Sequence, residues 1–369
     1  MKKLSILTTP AVMLGVGVLC APQALAASYT LSQTNIEAAA GAAGIKQNGI
    51  FCDSNGGYDP FCSLDPGDWT QDGNINLTTV QVGGNPINGL VINNNVNITN
   101  SGDSTITGNI DISGAEVTLK DLNVNGSVNV RDANAEVTID GGSYTNEDAG
   151  GALNVDNAKS VEIKDADFKA GGANGASAAY IGAGEITVTN GSFTSEGDNG
   201  IEFYGLNSLK ISGGTFTGAA SGIAFDGAPD AGKVTLTGGT FTGTGANGKA
   251  INIYGTDDAT VITGMVATGY HFTNSTVGTE TGSPDSAYIA GTTKVLADGQ
   301  TEGEESQATD PTSTSTSTTT KKSGINAPDT GAFTAEEGSA TNSSALSLLA
   351  TVTLATLGAV LIKKHSKRA

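Results

Sequence analysis

The sequence predicts an all-β fold, a single-stranded, right-handed parallel β-helix of about nine coils. Three observations predict it. Apolar residues alternate in repeated segments, and a period of two indicates strand rather than helix. Gly-Gly or Asn-Gly pairs break these runs at turns, and glycine makes up 52 of the 369 residues. Five segments end in an aromatic residue at spacings of 24, 25, 23 and 25, namely Tyr144, Phe168, Phe193, Phe216 and Phe241.

Each repeat is too short to enclose a core of its own. About three short strands fit into ~24 residues, so neighbouring repeats must stack, with inward residues about 4.8 Å apart. A β-propeller would need units of about 40–50 residues, and leucine-rich repeats would need far more leucine. We therefore assign residues 74–300 to the β-helix and expect the five aromatic side chains to form one internal ladder.

The first 26 residues have the pattern of a secretory signal peptide. Lys2 and Lys3 precede an apolar stretch, and Ala24-Leu25-Ala26 provides a small-residue cleavage site. We expect export and a mature chain that begins at Ala27. A retained anchor helix is the alternative.

Residues 27–73 are predicted to cap the first coil. Ile36 and the alanines between Gln33 and Ala43 follow a short amphipathic helical pattern. Cys52 and Cys62 are the two cysteines that remain after export, and an even count outside the cytosol predicts a disulfide. A metal site and a reactive thiol pair are the alternatives. A second, less defined cap is expected from His271 to Leu296.

The charge balance restricts the partners of the protein. There are 37 acidic and 18 basic side chains, which give a net charge of −19. Binding of nucleic acid by phosphate neutralisation is therefore not expected. The acidic body favours a neutral or cationic partner over a polyanion.

The C-terminal part contains a spacer and an apolar segment. Residues 301–326 consist mostly of Glu, Ser, Thr, Lys and Gly, which predicts a disordered stalk without a core. Residues 345–362 are apolar and long enough at ~1.5 Å per residue to cross a bilayer core as a helix. The tail that follows is basic, which predicts a cytoplasmic end.

The whole segment 327–369 resembles the sorting signal of sortase-anchored bacterial surface proteins. Their Leu-Pro-x-Thr-Gly motif corresponds to Ala327-Pro328-Asp329-Thr330-Gly331, with alanine in place of leucine. The resemblance implies a sortase-like transpeptidase as partner, cleavage after Thr330, and attachment of Thr330 to the cell envelope. A permanent transmembrane anchor is the alternative. Either route leaves the body outside the cell and tethered to its surface.

One outward line of residues is a candidate ligand-binding face. Asp156, Tyr204, Asp226 and Tyr254 each directly follow an inward pair of strand residues. Stacked coils would align them, and a tyrosine ring can pack against the apolar C–H groups of a sugar. Ordinary surface residues are the alternative. Surface acids could also hold calcium through oxygen ligands, although no motif specifies a site and no other cofactor is expected.

The predicted body resembles repeat-type bacterial adhesins and, in its coils, the pectate-lyase-like β-helix proteins. The resemblance implies attachment to a glycan or protein of a host or bacterial surface. Known β-helix lyases and galacturonan hydrolases use aspartate clusters with arginine, or a Gly-His-Gly segment. This body contains one arginine, Arg131, one histidine, His271, and one acidic pair, Asp257-Asp258. We therefore predict no enzyme; the alternative is a surface polysaccharide lyase or glycoside hydrolase.

Overall fold

The computed structural model describes residues 26–54, 60–114, 116–148, 150–171, 175–205, 207–282 and 284–301. Its helices are α1 (Gln33–Gly41) and α2 (Ala259–Thr263), and Leu77–Thr79 forms a 3-10 turn. Its strands are β1 (Ser28–Leu31), β2 (Ile50–Asp53), β3 (Phe61–Leu64), β4 (Gly67–Gln71), β5 (Ile75–Asn76), β6 (Gln81–Val82), β7 (Asn85–Pro86), β8 (Leu90–Ile92), β9 (Val96–Asn100), β10 (Thr105–Thr107), β11 (Ile110–Ile112), β12 (Glu116–Lys120), β13 (Asn123–Asn125), β14 (Val128–Arg131), β15 (Glu136–Asp140), β16 (Ser143–Asn146), β17 (Leu153–Lys164), β18 (Ala166–Ala170), β19 (Ala179–Val188), β20 (Gly191–Ser195), β21 (Asn199–Phe203), β22 (Ser208–Ile211), β23 (Thr215–Gly218), β24 (Ser221–Phe225), β25 (Val234–Leu236), β26 (Thr240–Gly243), β27 (Lys249–Tyr254), β28 (Tyr270–Phe272), β29 (Val277–Glu280), β30 (Ser286–Ala290) and β31 (Thr292–Ala297).

Each coil contributes one strand to each of three parallel ladders, which we name A, B and C in chain order. Ladder A runs through β4, β9, β12, β15, the second half of β17, the second half of β19, β22 and β25. Ladder B runs through β5, β10, β13, β16, β18, β20, β23 and β26. Ladder C runs through β8, β11, β14, the first half of β17, the first half of β19, β21, β24 and β27. The predicted all-β parallel β-helix is confirmed.

The coil count is about eight, and not the predicted nine. Residues 77–89 do not add to a ladder; they form the 3-10 turn and the β6–β7 hairpin inside the first coil. The segment after β27 leaves the helix as well. Asp258 caps α2 by accepting a hydrogen bond from the Thr260 amide at 2.9 Å, so residues 259–263 become helical instead of forming another strand.

Aromatic side chains form the internal ladder that the repeat predicts. Tyr144, Phe168, Phe193, Phe216 and Phe241 occupy equivalent positions in ladder B and are each at most 1% exposed. Their ring centroids are 4.9, 4.9, 5.1 and 5.0 Å apart, and the ring planes lie within 18° of parallel. Valine, isoleucine and leucine make up most of the interior of ladders A and C, together with Trp69 in ladder A and the stacked Phe203 and Phe225 in ladder C, so the coil interior is continuously apolar.

The sharp corner between ladders A and B requires backbone with positive φ. Asp121 and Asp165 adopt φ values of 54° and 50° there. Gly142 stands at the same corner with φ 89°, and a Cβ at this position would collide with the Leu122 carbonyl oxygen. Glycines with positive φ occupy the same corner in later coils, at Gly191, Gly214 and Gly239.

Both ends of the coil stack are covered. At the first coil, β1 pairs with β4, and Tyr29 stacks on Trp69 at 4.5 Å. Helix α1 is capped by the Ser32 hydroxyl and buries Ile36. At the last coil, β31 and β30 pair antiparallel with β26 and β27, which closes the edges of ladders B and C.

The predicted disulfide between Cys52 and Cys62 is present and joins the antiparallel strands β2 and β3. Within the described part of the chain, no helix combines the length and apolar character that a membrane crossing requires. The predicted transmembrane helix at 345–362 lies outside the described residues, as do the signal peptide apart from Ala26 and all of the stalk apart from Thr301.

Candidate functional site

The outward side of ladder C collects the acidic and aromatic side chains singled out by the sequence. We name this surface the ladder C face: the outward residues of the ladder C strands and the residues directly after them. Val155, Ile181, Phe203, Phe225 and Ile253 stack in register and point inward, so the residues that follow them occupy equivalent outer positions. Those residues are Asp156, Gly182, Tyr204, Asp226 and Tyr254.

Tyr204 reaches across one coil to Asp156. Its hydroxyl lies 3.1 Å from the Asp156 carboxylate and 3.0 Å from the Val155 carbonyl oxygen. The ring passes over Gly182, where a Cβ would approach ring carbon to 2.7 Å. Tyr204 remains 42% exposed. Partial burial and the Asp156 carboxylate raise the pKa of Tyr204 to about 12, so the phenol stays neutral at physiological pH.

Tyr254 stands among three carboxylates. Partial burial raises the pKa of its phenol, and the negative charges of Asp198, Glu202 and Asp226 act in the same direction. A hydrogen bond from Asn252 acts in the opposite direction. Tyr254 is half-buried.

Asp198 and Glu202 form a carboxylate pair around the buried Ser177. The Ser177 hydroxyl lies 3.1 Å from Asp198 Oδ2 and 3.0 Å from Glu202 Oε2. The Asn199 side-chain amide lies 3.1 Å from Asp198 Oδ1 and 3.2 Å from Glu202 Oε2. Burial raises the pKa of both carboxyl groups, and hydrogen bonds from Ser177 offset part of that effect.

Cations elsewhere on this face are already engaged. Arg131 lies 3.7 Å from Asp156 and 4.0 Å from Asp111. Lys249 pairs with Glu280 at 3.0 Å and covers the Tyr288 ring at 4.3 Å. The carboxylate pair is therefore left without a cationic partner among the residues that the structure describes.

An open groove of 210 Å³ lies beside Tyr204 and Asp226 and is also lined by Pro229. It is smaller than the cavities of about 300–1,000 Å³ that enclose drug-sized ligands. The ladder C face therefore suits an extended partner that lies along it better than a small molecule that must be enclosed.

The acidic pair Asp257-Asp258 does not form a comparable site. Asp258 is exposed, and its side chain bonds the backbone and the hydroxyl of Thr260 at 2.9 and 2.7 Å. Those bonds lower its pKa. Its structural role is the cap of α2.

Three other predictions concern features that do not involve the ladder C face. Ala327, Pro328, Asp329, Thr330 and Gly331 lie outside the described residues. Cys52 and Cys62 belong to the N-terminal end. Over the described ranges, no group of three or more His, Cys, Asp or Glu side chains is placed to hold a metal ion.

The sequence reasoning did not find the carboxylate pair. Glu202 stands between the inward residues Ile201 and Phe203, so strand alternation already assigns it to the outer surface. Asp198 lies in the turn before that strand, and Ser177 belongs to the preceding coil. Their meeting depends on the lengths of two turns, which alternation does not specify.

Comparison with known proteins gives no further assignment: no family model, no curated protein and no solved structure matches this chain.

Proposed function

We propose that this protein is an adhesin: a surface-anchored β-helix whose ladder C face binds a neutral carbohydrate of a host or bacterial surface. The observation that carries the proposal is the alignment of Tyr204 and Tyr254 with Asp156 and Asp226 on one continuous face. Tyrosine rings offer apolar surface to sugar C–H groups. Carboxylate oxygens accept hydrogen bonds from sugar hydroxyls.

The acidic charge supports a neutral ligand. Acids on this face would repel a polyanion, while hydroxyl-rich chains carry donors for the carboxylates and no opposing charge. Export by the signal peptide and attachment through Thr330 would present the face outside the cell. In this proposal the Ser/Thr-rich segment 301–326 sets the distance from the envelope, and the β-helix provides a stiff support.

The binding experiment uses the purified protein on an array of neutral and charged glycans and on intact cells. We expect retention on a set of neutral glycans. Tyr204→Ala and Tyr254→Ala should each weaken binding at least about five-fold, because a well-packed aromatic contact contributes on the order of 1 kcal/mol or more. Tyr204→Phe should bind nearly as well as wild type, since the ring remains.

Thr217→Ala, on the outer side of ladder B, is the control and should bind like wild type. Equal binding by wild type and both alanine variants would contradict the proposed face. Binding confined to polyanions would contradict the proposed ligand class.

Anchoring is tested separately on cells that produce the full chain. Mass spectrometry of the envelope-released protein should find a C-terminus at Thr330, and Thr330→Ala should abolish that product. A mature protein that keeps residues 363–369 would identify a permanent anchor instead.

A glycoside hydrolase or lyase is the second candidate, and the Asp198–Glu202 pair is the observation that favours it. Glycoside hydrolysis uses two carboxyl groups, one of them a general acid with a raised pKa. Burial raises the pKa of both Asp198 and Glu202. Release of shorter oligosaccharides from a bound glycan, lost in Asp198→Asn and Glu202→Gln, would establish the enzyme. Binding without turnover would establish the adhesin.

A further inference from the structure

A second groove lies next to the ladder C face at the last coils. It has a volume of 280 Å³ and runs between helix α2 and the loop that joins β24 to β25. We name it the α2 groove; its walls include Pro229, Asp230, Ala231, Val234, Val261 and Met265. Pro229 and Asp230 also line the 210 Å³ groove beside Tyr204, so the two grooves meet at this loop.

The lining of the α2 groove is mostly apolar. Val234 and Met265 are 4% and 3% exposed and belong to the apolar interior, and Val261 is partly buried against it. A hydroxyl group that enters such a lining loses its hydration without gaining enough partners, whereas a methyl group gains from burial. The groove therefore favours a ligand with an apolar substituent.

The rim of the α2 groove carries one polar group that is free to bind a ligand. Asp230 is exposed, and within the described residues its carboxylate forms no hydrogen bond and no salt bridge. Asp258 and Thr260 also line the groove, but their side chains bond each other at 2.7 Å. Over the described part of the chain no basic residue lines the groove, so it offers a hydrogen-bond acceptor and nothing that attracts an anion.

We propose that the α2 groove is a subsite of the carbohydrate-binding face and accepts the acetamido group of an N-acetylated hexosamine. This inference rests on the proposed function and names the class of glycan. An acetamido group brings a methyl group for the wall formed by Val261 and Met265, and an N–H donor for the Asp230 carboxylate. It is uncharged, which agrees with the acidic surroundings. Because the two grooves meet, one glycan can contact the Tyr204 ring and the α2 groove together.

The test compares neutral glycans that differ only in carrying an acetamido group or a hydroxyl group at one carbon of the ring. The tetramers of chitin and cellulose form one such pair, and N-acetyllactosamine and lactose form another. Binding to the purified protein is measured by calorimetry. The acetamido member of a retained pair should bind at least about ten-fold more tightly, since it adds a buried methyl group and a charge-assisted hydrogen bond. Tyr204→Ala should weaken binding of both members.

Two variants of exposed loop residues test the subsite itself. Asp230→Ala removes the acceptor and should reduce the preference for the acetamido member at least about five-fold. Ala231→Leu fills the groove and should abolish the preference. Asp257→Ala is the matched control, because Asp257 is an exposed acid near α2 that does not line the groove, and it should bind like wild type. Unchanged thermal midpoints show that each variant folds.

The outcomes separate this subsite from the proposed function. Equal, Tyr204-dependent binding of both members of every retained pair would overturn the acetamido subsite and leave the proposed function standing. A preference that persists in Asp230→Ala and in Ala231→Leu would overturn the subsite as well. If no neutral glycan is retained and protease treatment of cells removes their binding, the occupant is a protein side chain, and both proposals are overturned.

Discussion

The aromatic ladder inside ladder B gives the most quantitative prediction, with Phe193 at its centre. Phe193 is fully buried, with Phe168 at 4.9 Å on one side and Phe216 at 5.1 Å on the other. Phe193→Ala should lower the free energy of unfolding by about 3–5 kcal/mol, through lost burial and the cavity that remains. This is a large share of the 5–15 kcal/mol that a typical domain has.

Phe241 is the matched position for the stacking contribution. It is equally buried, but only Phe216 stacks on it, at 5.0 Å; Thr293 is its neighbour on the other side. Phe193→Leu therefore removes two ring contacts and Phe241→Leu removes one. We expect Phe193→Leu to cost more by about 0.5–1.5 kcal/mol, the contribution of one aromatic pair.

Unfolding in urea, followed by far-UV circular dichroism, measures these differences in the free energy of unfolding. Unchanged m-values show that each variant and the wild type unfold in the same transition. Ile45→Ala is the control for the effect of substitution itself. Because Ile45 is 61% exposed, its replacement should lower the free energy of unfolding by less than about 0.5 kcal/mol. Equal losses for the two leucine variants would refute the stacking argument. A Phe193→Ala loss below about 2 kcal/mol would refute the central position of the ladder in the core.

Three further predictions concern single polar groups and the end of the stack. Tyr144→Phe should raise the free energy of unfolding by about 1 kcal/mol in urea titrations, because the buried Tyr144 hydroxyl has no hydrogen-bond partner. A decrease in the free energy of unfolding would contradict this, because it would mean that the hydroxyl does have a partner. Replacing Cys52 and Cys62 by serine should lower the free energy of unfolding by about 2–3 kcal/mol, from the loop-closure relation, in the same titration. An unchanged midpoint would mean that the disulfide does not stabilise the first coil. Asp198→Asn with Glu202→Gln should gain stability relative to wild type as the pH rises above about 4, the ordinary pKa of a carboxyl group. The folded-state pKa values of both acids are raised, so their contribution to wild-type stability is present at low pH and is lost as the pH rises. A pH-independent difference would contradict this.

The repeat predicted the interior because the same residue recurs at the same place in each coil. Ring stacking in ladder B and the alignment of Tyr204 with Asp226 follow directly from spacings near 24. The insertion at 77–89 was not predictable, since Leu77 continues the alternation of Ile75, and Val80 alternates with Val82, as buried strand residues would. Leu77, Val80 and Val82 cover the first coil instead of extending a ladder.

The last coil and the carboxylate pair depended on local chemistry that a repeat does not encode. Residues 259–266 carry strand-like apolar residues, yet the Asp258 cap turns their first part into α2, and Val266 alone bridges to Leu236 of ladder A. Ser177, Asp198 and Glu202 come from two coils, and their distances follow from turn geometry. Strand alternation predicts that Glu202 lies on the outer surface, but it does not predict which residues Glu202 contacts.

Footprinting of the ladder C face tests the central claim most directly. Hydroxyl-radical oxidation of the purified protein, with and without a glycan that it retains, is read by mass spectrometry at each tyrosine. The account predicts reduced oxidation of Tyr204 and Tyr254 in the complex, while Tyr29, at the N-terminal end beside Trp69, keeps its rate. Unchanged oxidation of Tyr204 and Tyr254 in a saturated complex would contradict the account.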